Sequence, residues 1–133
     1  PYTVEAGIVR VADALDMAIA AHGGAVQGIG QALQEHMVYD TDTGQPVTGS
    51  LMDYCAPRAD VMACDFVTEM DESTPCKNNP LGVKGVGELG TIGAGPSVVN
   101  AVADSLARAG RASAAPTIQM PLTAAKVWGL LAG

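Results

Sequence analysis

Aromatic side chains are almost missing from this chain: one Phe, one Trp and three Tyr, 4% of 133 residues. Its core must therefore be built from Ala, Val, Leu, Ile and Met. Basic residues are also scarce, seven against fourteen acidic ones, for a formal net charge of -7. Nucleic acid and anionic membrane both favour basic faces, so neither is expected as a main partner. A local anion site stays open, because backbone N–H groups and a single Lys can make one. Cysteine is limited to Cys55, Cys64 and Cys76, an odd number without C-x-x-C spacing. A disulfide scaffold is thereby disfavoured, and reduced thiols in a cytoplasmic protein are expected. No Cys/His cluster has zinc spacing, so no side chain is assigned as a metal ligand. The start, Pro1-Tyr2-Thr3-Val4-Glu5, lacks the basic end and apolar run of a signal peptide. No apolar run is long enough to span a bilayer. A first residue that is Pro rather than Met raises the expectation of a trimmed chain or a fragment.

At 48% hydrophobic and 16% charged, the sequence is that of a globular unit with a core of its own, of ordinary single-domain size. Residues 3–11 alternate and read as a strand. Residues 12–21 are Ala-rich and read as a helix, which His22-Gly23-Gly24 should break. A second helix is expected over 25–37, with Val26, Ile29, Leu33 and Met37 on one face. Gly28 and Gly30 within it should mark close packing or a ligand against the backbone. Val38-Tyr39 should pair with the residues from Val47 onward across the turn 40–46. Residues 50–54 read as a buried approach to a loop, and 64–70 as a strand. A long loop follows over 71–95. Pro96 then suits the first turn of a helix running to about 109, with Val98, Val99, Val102 and Leu106 inward and Gly110 ending it. Residues 115–121 read as extended, and Thr123 as the cap of a last helix through Trp128. The sum is one α+β unit over 1–133, with helices packed on a small mixed or antiparallel sheet.

The densest chemical signal is Asn79-Pro80-Leu81-Gly82-Val83-Lys84-Gly85-Val86-Gly87-Glu88-Leu89-Gly90. Glycines let a backbone approach a ligand closely, so such a loop can wrap a cofactor and aim Glu88 at it. A Glu in an enclosed, weakly solvated site suits proton abstraction near neutral pH. Long loops in compact domains are either functional or irregular surface, and spacing alone leaves both readings open. Residues 85–90 also match G-x-G-x-x-G, the dinucleotide fingerprint, which needs a strand before it and a helix opening from it. The preceding Asn78-Asn79-Pro80-Leu81-Gly82 is no strand, and the helix is expected only near Gly95, so this is the weaker alternative. Gln27, set among glycines, offers both a donor and an acceptor to a pterin or nucleotide edge, although an exposed helix residue is the simpler reading. Asp53 reads as a loop cap, His22 as a turn residue, and Lys84 either as a phosphate partner or as a solvated loop residue. The Met residues read as core filler.

Taken together these segments resemble a known family. Residues 23–33 (Gly23-Gly24-Ala25-Val26-Gln27-Gly28-Ile29-Gly30-Gln31-Ala32-Leu33), then Gly49 to Tyr54, then Asn79 to Gly90 and Thr91 to Ala94, occur in the order found near the C-terminal end of one subunit type. That subunit is the large, molybdenum-binding subunit of the xanthine dehydrogenase family, with the nearest look to bacterial carbon monoxide dehydrogenase and aldehyde oxidase-like members. The resemblance covers roughly residues 22–131; residues 1–21 are atypical, because Asp16 to His22 lack the Asn-Pro and Gly-Gln pairs usual before Gly-Gly.

The resemblance implies a molybdenum hydroxylase that places water-derived oxygen on an electron-poor carbon of an aldehyde, N-heterocycle or purine-like substrate. It implies molybdopterin cytosine dinucleotide as cofactor, with Glu88 as the base. Gln27 and Gly28 match the cofactor-contacting Gly-Gly-x-x-Gln-Gly motif, and Lys84, Gly85, Val86 and Gly87 match the cofactor-wrapping loop. Iron–sulfur clusters and FAD are implied only in partner subunits or domains, and the remainder of the molybdenum subunit is implied as a further partner. Carbon monoxide as substrate lacks support, since the family's Cys-bearing loop for it has no counterpart here. An isolated chain is expected to be inactive. A non-catalytic, self-associating module without cofactor is the alternative reading.

Overall fold

The structure is a computed structural model that describes residues 14–133 apart from 62–64, 70, 72 and 86. The expected first strand, residues 3–11, lies outside the described residues. Three α-helices carry the described architecture: α1 (Ala14–Leu33), α2 (Leu89–Arg108) and α3 (Ala124–Ala132). A 3-10 turn at Ala59–Val61 and a 3-10 helix at Ala112–Thr117 lie between them.

The α1–α2 pair is the centre of the fold. Its seam is made of small residues. Ala25, Gly28 and Ala32 are buried on α1, and Gly90, Ala94 and Gly95 on α2. The contact is so close that a Cβ on Gly28 would lie 2.7 Å from Ala94 Cβ and 2.8 Å from Thr91 O. One on Gly90 would lie 2.5 Å from Ala21 O and 2.8 Å from Ala25 N. This approach explains a correction: α1 runs unbroken through His22-Gly23-Gly24, where the sequence suggests a break. The helix-propensity cost of a glycine, about 1 kcal/mol relative to Ala, is outweighed by packing that only glycine permits. It also moves the packed face. Val26, Ile29 and Leu33 flank the seam half-buried, and Met37 lies beyond the helix with its side chain exposed.

Helix α2 likewise starts seven residues before Pro96, the expected first-turn position. Pro96 sits inside the helix and cannot donate to the Ile92 carbonyl. Both residues are on the exposed side, where water can take that acceptor. At the other end Gly110 (φ +80°) stops the helix as expected, with Arg111 N–H on Leu106 O at 2.8 Å and Gly110 N–H on Ala107 O at 3.0 Å. This pair of bonds is a Schellman closure. Leu106, 2% exposed, is with Leu122 among the largest buried side chains of the described residues. Leu106→Ala should cost roughly 2–5 kcal/mol, read by chemical denaturation of the full subunit. Val98, Val99 and Val102 are half-buried beside it.

The expected sheet is not found among the described residues. Tyr39 and Pro46 form a single antiparallel bridge, flanked by Asp40 N–H on Gln45 O and Val47 N–H on Val38 O, both 2.8 Å. Pro46 has no N–H to extend that ladder. The Val38 N–H turns to the Thr48 hydroxyl at 2.9 Å, and that hydroxyl donates to His36 O at 3.1 Å. Within the bridge turn, bonds from the Thr43 hydroxyl and N–H, then from Asp42 N–H, hold the Asp40 carboxyl below its ordinary range. The turn's support from Asp40 is therefore present above the unfolded-state value and is lost as pH falls through the folded one. An NMR titration should find Asp40 changing at lower pH than a free aspartate.

Residues 65–69 carry no strand and are exposed. The 50–54 segment is not buried either, with Leu51 and Met52 84% and 93% exposed. The expected extended run 115–121 begins instead inside the 3-10 helix Ala112–Thr117, which takes residues 115–117. The chain then returns across the end of α1 through Leu122 N–H on Ala32 O, 2.6 Å, with Leu122 buried. Thr123 caps α3 as expected, its hydroxyl accepting from Lys126 N–H at 3.4 Å.

Candidate functional site at the α1–α2 seam

Helix packing joins two motifs far apart in sequence. Gln27 lies on α1, one turn after Gly24, and the glycine loop ends where α2 begins. The hydroxyl of Thr91, the third residue of α2, shares its one proton between Gly24 O at 3.1 Å and Gln27 Oε1 at 3.3 Å, 64 positions away. Gln27 is otherwise exposed. Glu88 is the residue before α2, with φ -98° and ψ -3°, and its carbonyl accepts from Ile92 N–H at 3.1 Å in the first helical bond. Its carboxylate makes no capping bond and is exposed, so the enclosure expected for it is not formed by the described residues.

The loop leading to Glu88 is shaped by Asn79. Its side-chain amide donates to Val83 O at 3.0 Å and accepts from Val83 N–H at 3.1 Å. Gly82, at φ +69°, closes the same turn with its N–H on Asn79 O. Lys84 and Gly85 follow, exposed. Lys84 is near enough to Asp71 to help lower that carboxyl, after the larger effects of bonds from the Ser73 hydroxyl and N–H. Positions of a Cβ on Gly85 and Gly87 face open space, in contrast to Gly24, Gly28 and Gly90. Val86 lies outside the described residues. Gly24, Gly28 and Gly90 thus lie under the helix contact, and Gly85 and Gly87 have free space before them. Gly28, expected at the cofactor, is one of the former.

The helix does open directly from the G-x-G-x-x-G segment, contrary to the sequence expectation. No strand precedes it among the described residues, so the dinucleotide fold is still not formed. Asp53 accepts from the Ser50 hydroxyl at 3.0 Å, in keeping with a loop role. Partial burial, then the Glu35 charge and a hydrogen bond with it, raise the neighbouring Tyr54 phenol. A cleft of about 350 Å³ beside Leu51, Tyr54 and Arg58 is not lined by Gln27 or Glu88. His22 is inside α1 rather than in a turn: its ring centroid is 4.7 Å from that of Phe66, and Nε2 is 2.6 Å from Thr68 Oγ1. Cys55 and Cys76 are free thiols. Among the described residues no three His, Cys, Asp or Glu side chains converge on a metal position, and no helix is long and apolar enough to cross a membrane. Thr91 is the site residue that sequence reasoning missed. Its only signal was membership of the Thr91 to Ala94 segment, and its partners depend on the helix contact.

Comparison with known proteins agrees with the resemblance. Residues 17–63 match the family model of the molybdopterin cofactor-binding domain. The 6-hydroxypseudooxynicotine dehydrogenase complex subunit gamma of Paenarthrobacter nicotinovorans is 50% identical over 88 residues, 64% of this chain and 10% of that protein. The nicotine 6-hydroxylase large subunit of the same organism is 39% identical over 105 residues, 79% of this chain and 12% of that protein. A crystal structure of the Cu,Mo-CO dehydrogenase in the carbon monoxide-reduced state superposes with a TM-score of 0.75 at 31% identity, over 88% of this chain and 14% of that one. The chain belongs with the molybdopterin-binding large subunits of the xanthine dehydrogenase family of oxidoreductases. It spans about a tenth of the length of these curated relatives.

Proposed function

We propose that this chain supplies one wall of the cofactor site of a molybdenum hydroxylase, with residues 22–131 forming the family-like part of a single unit. The observation that carries the reading is the Thr91 contact, which brings Gln27 beside the start of α2, three residues after Glu88. The donor set suits an anionic, pterin-bearing group: the Gln27 amide, the Lys84 ammonium, and a backbone at Gly85 and Gly87 with open space before it. Gln27 would meet the pterin edge. Lys84 and the Gly85, Val86 and Gly87 backbone would hold the phosphates of the cytosine dinucleotide form. Gly28 acts one step back by letting α2 approach α1.

When bound, the cofactor supplies the redox-active metal that takes up the two electrons of a hydroxylation. The chain's own contribution is Glu88, whose carboxylate accepts the proton of the water-derived nucleophile as that nucleophile attacks an electron-poor carbon. Its place at the end of a glycine loop, directly before a helix, fixes its backbone while leaving the carboxylate free of a capping bond. Aldehydes, purines and N-heterocycles all offer such carbons. The relative named for nicotine favours an N-heterocycle.

Enclosure of Glu88 falls to partners. Leu81, Ile92, Val67 and Trp128 are each two-thirds exposed or more, large apolar side chains of the kind that another chain or domain covers. The remaining part of the molybdenum subunit is the proposed cover, with iron–sulfur and flavin subunits receiving the electrons, in the cytoplasm. These exposed side chains also favour the second reading, in which the isolated chain self-associates without cofactor. Light scattering should accordingly find the chain oligomeric when expressed alone; a clean monomer would contradict a sticky uncovered face. The functional reading is tested by acid hydrolysis of the purified assembly. Molybdenum with released cytidine monophosphate supports it, molybdenum without the nucleotide restricts it to the plain cofactor, and absence of both from a folded assembly rejects it.

A further inference from the structure

We propose that Thr91 is a positioning residue that sets the orientation of the Gln27 amide toward the pterin edge. The inference rests on the functional reading above and assigns a role to a residue outside the expected site. A Gln side chain on an exposed helix face has several rotors, and fixing it costs conformational entropy that a binding site must meet on each occupation. Here the fixing is done in advance. The Thr91 hydroxyl lies 3.3 Å from Gln27 Oε1 and 3.1 Å from Gly24 O. Gly24 and Gln27 are three residues apart and so share a helix face. One hydroxyl thus spans a main-chain carbonyl and the side chain one turn on. Among the described residues it is the one hydrogen-bond partner of the Gln27 side chain.

The surrounding sequence makes room for this contact. A Cβ on Gly24 would lie 3.0 Å from Thr91 N and 3.3 Å from Thr91 Oγ1. Gly90, just before Thr91, lets the first turn of α2 rest on the α1 backbone. With Oε1 beside Thr91, the Gln27 NH2 has no hydrogen-bond partner among the described residues, which suits an acceptor on the pterin edge. A β-branched Thr keeps its hydroxyl in few rotamers. Valine preserves that shape without the proton, so it separates hydrogen bonding from packing.

The test uses the full molybdenum-subunit assembly and reads molybdenum and pterin content together with the thermal midpoint. Thr91→Val should lower cofactor content about tenfold under limiting cofactor supply, the scale on which outer-shell partners act, with little change in thermal midpoint. Thr91→Ser should restore it. In a Gln27→Ala background, Thr91→Val should have no further effect. If Gln27→Ala loses cofactor while Thr91→Val keeps it, the role of Thr91 is overturned and the functional reading stands. The same holds if the two substitutions add independently. If the wild-type assembly holds no molybdopterin, the functional reading itself has failed, and this inference with it.

Discussion

Glu88→Gln should abolish most turnover in an assembled, molybdenum-loaded enzyme, by about 100- to 10,000-fold, while leaving cofactor content unchanged. The substitution is nearly isosteric and removes only the ability to accept a proton. Among the described residues nothing leans on the carboxylate, since Glu88 is exposed and makes no capping bond. Unchanged molybdenum content and thermal midpoint in the variant separate loss of the base from loss of structure. Full turnover by Glu88→Gln at wild-type molybdenum content would remove Glu88 from the mechanism.

Gly90→Ala should have the largest effect on folding of any single added methyl in the loop. The new Cβ would sit 2.5 Å from Ala21 O, 2.8 Å from Ala25 N and 3.0 Å from Gly24 C, all main-chain atoms that have no rotamer to change. Alanine gains about 1 kcal/mol of helix propensity over glycine. Overpacking of this kind costs about 1–3 kcal/mol, and more where the neighbours cannot yield. The steric cost prevails, and the α1–α2 seam opens. Gly85→Ala is the matched control, because its Cβ faces open space. It should leave the thermal midpoint of the full subunit unchanged and reduce cofactor content, since the added methyl occupies space reserved for the ligand. Equal thermal midpoints for Gly90→Ala and wild type would show that the helices do not meet as closely as described.

These two glycines show where the sequence could be read and where it could not. Gly110 as a helix end and Thr123 as a cap were legible because their effects are local: a positive φ and a hydroxyl on a nearby N–H. Gly23, Gly24 and Gly90 were read by the same local logic as breakers or loop residues. For Gly24 and Gly90 the purpose is tertiary, since each lies where α1 and α2 meet too closely for a Cβ, whereas Gly23 is exposed with open space before it and the helix runs through it. Pro96 misled in the same way. Its ring suits a first turn, but the helix begins earlier because Gly90 and Thr91 already rest on α1. The sheet was overestimated, because short alternating runs such as 65–69 carry a strand pattern without any partner in the described residues. Glu88 and Gln27 were legible as site candidates only through several motifs occurring in one order. Composition could not bring Gln27 to the start of α2, and Thr91, which contacts it there, had no signal of its own.

The central claim is that the α1–α2 seam and its glycine loop form one wall of a molybdopterin site. An experimental structure of the complete assembly with its cofactor tests it most directly. The expected result is the pterin against Gln27, the cofactor phosphates along Lys84 to Gly87, and the Glu88 carboxylate facing the metal. A cofactor bound elsewhere in the assembly, with Gln27 and Glu88 still in solvent, would contradict it.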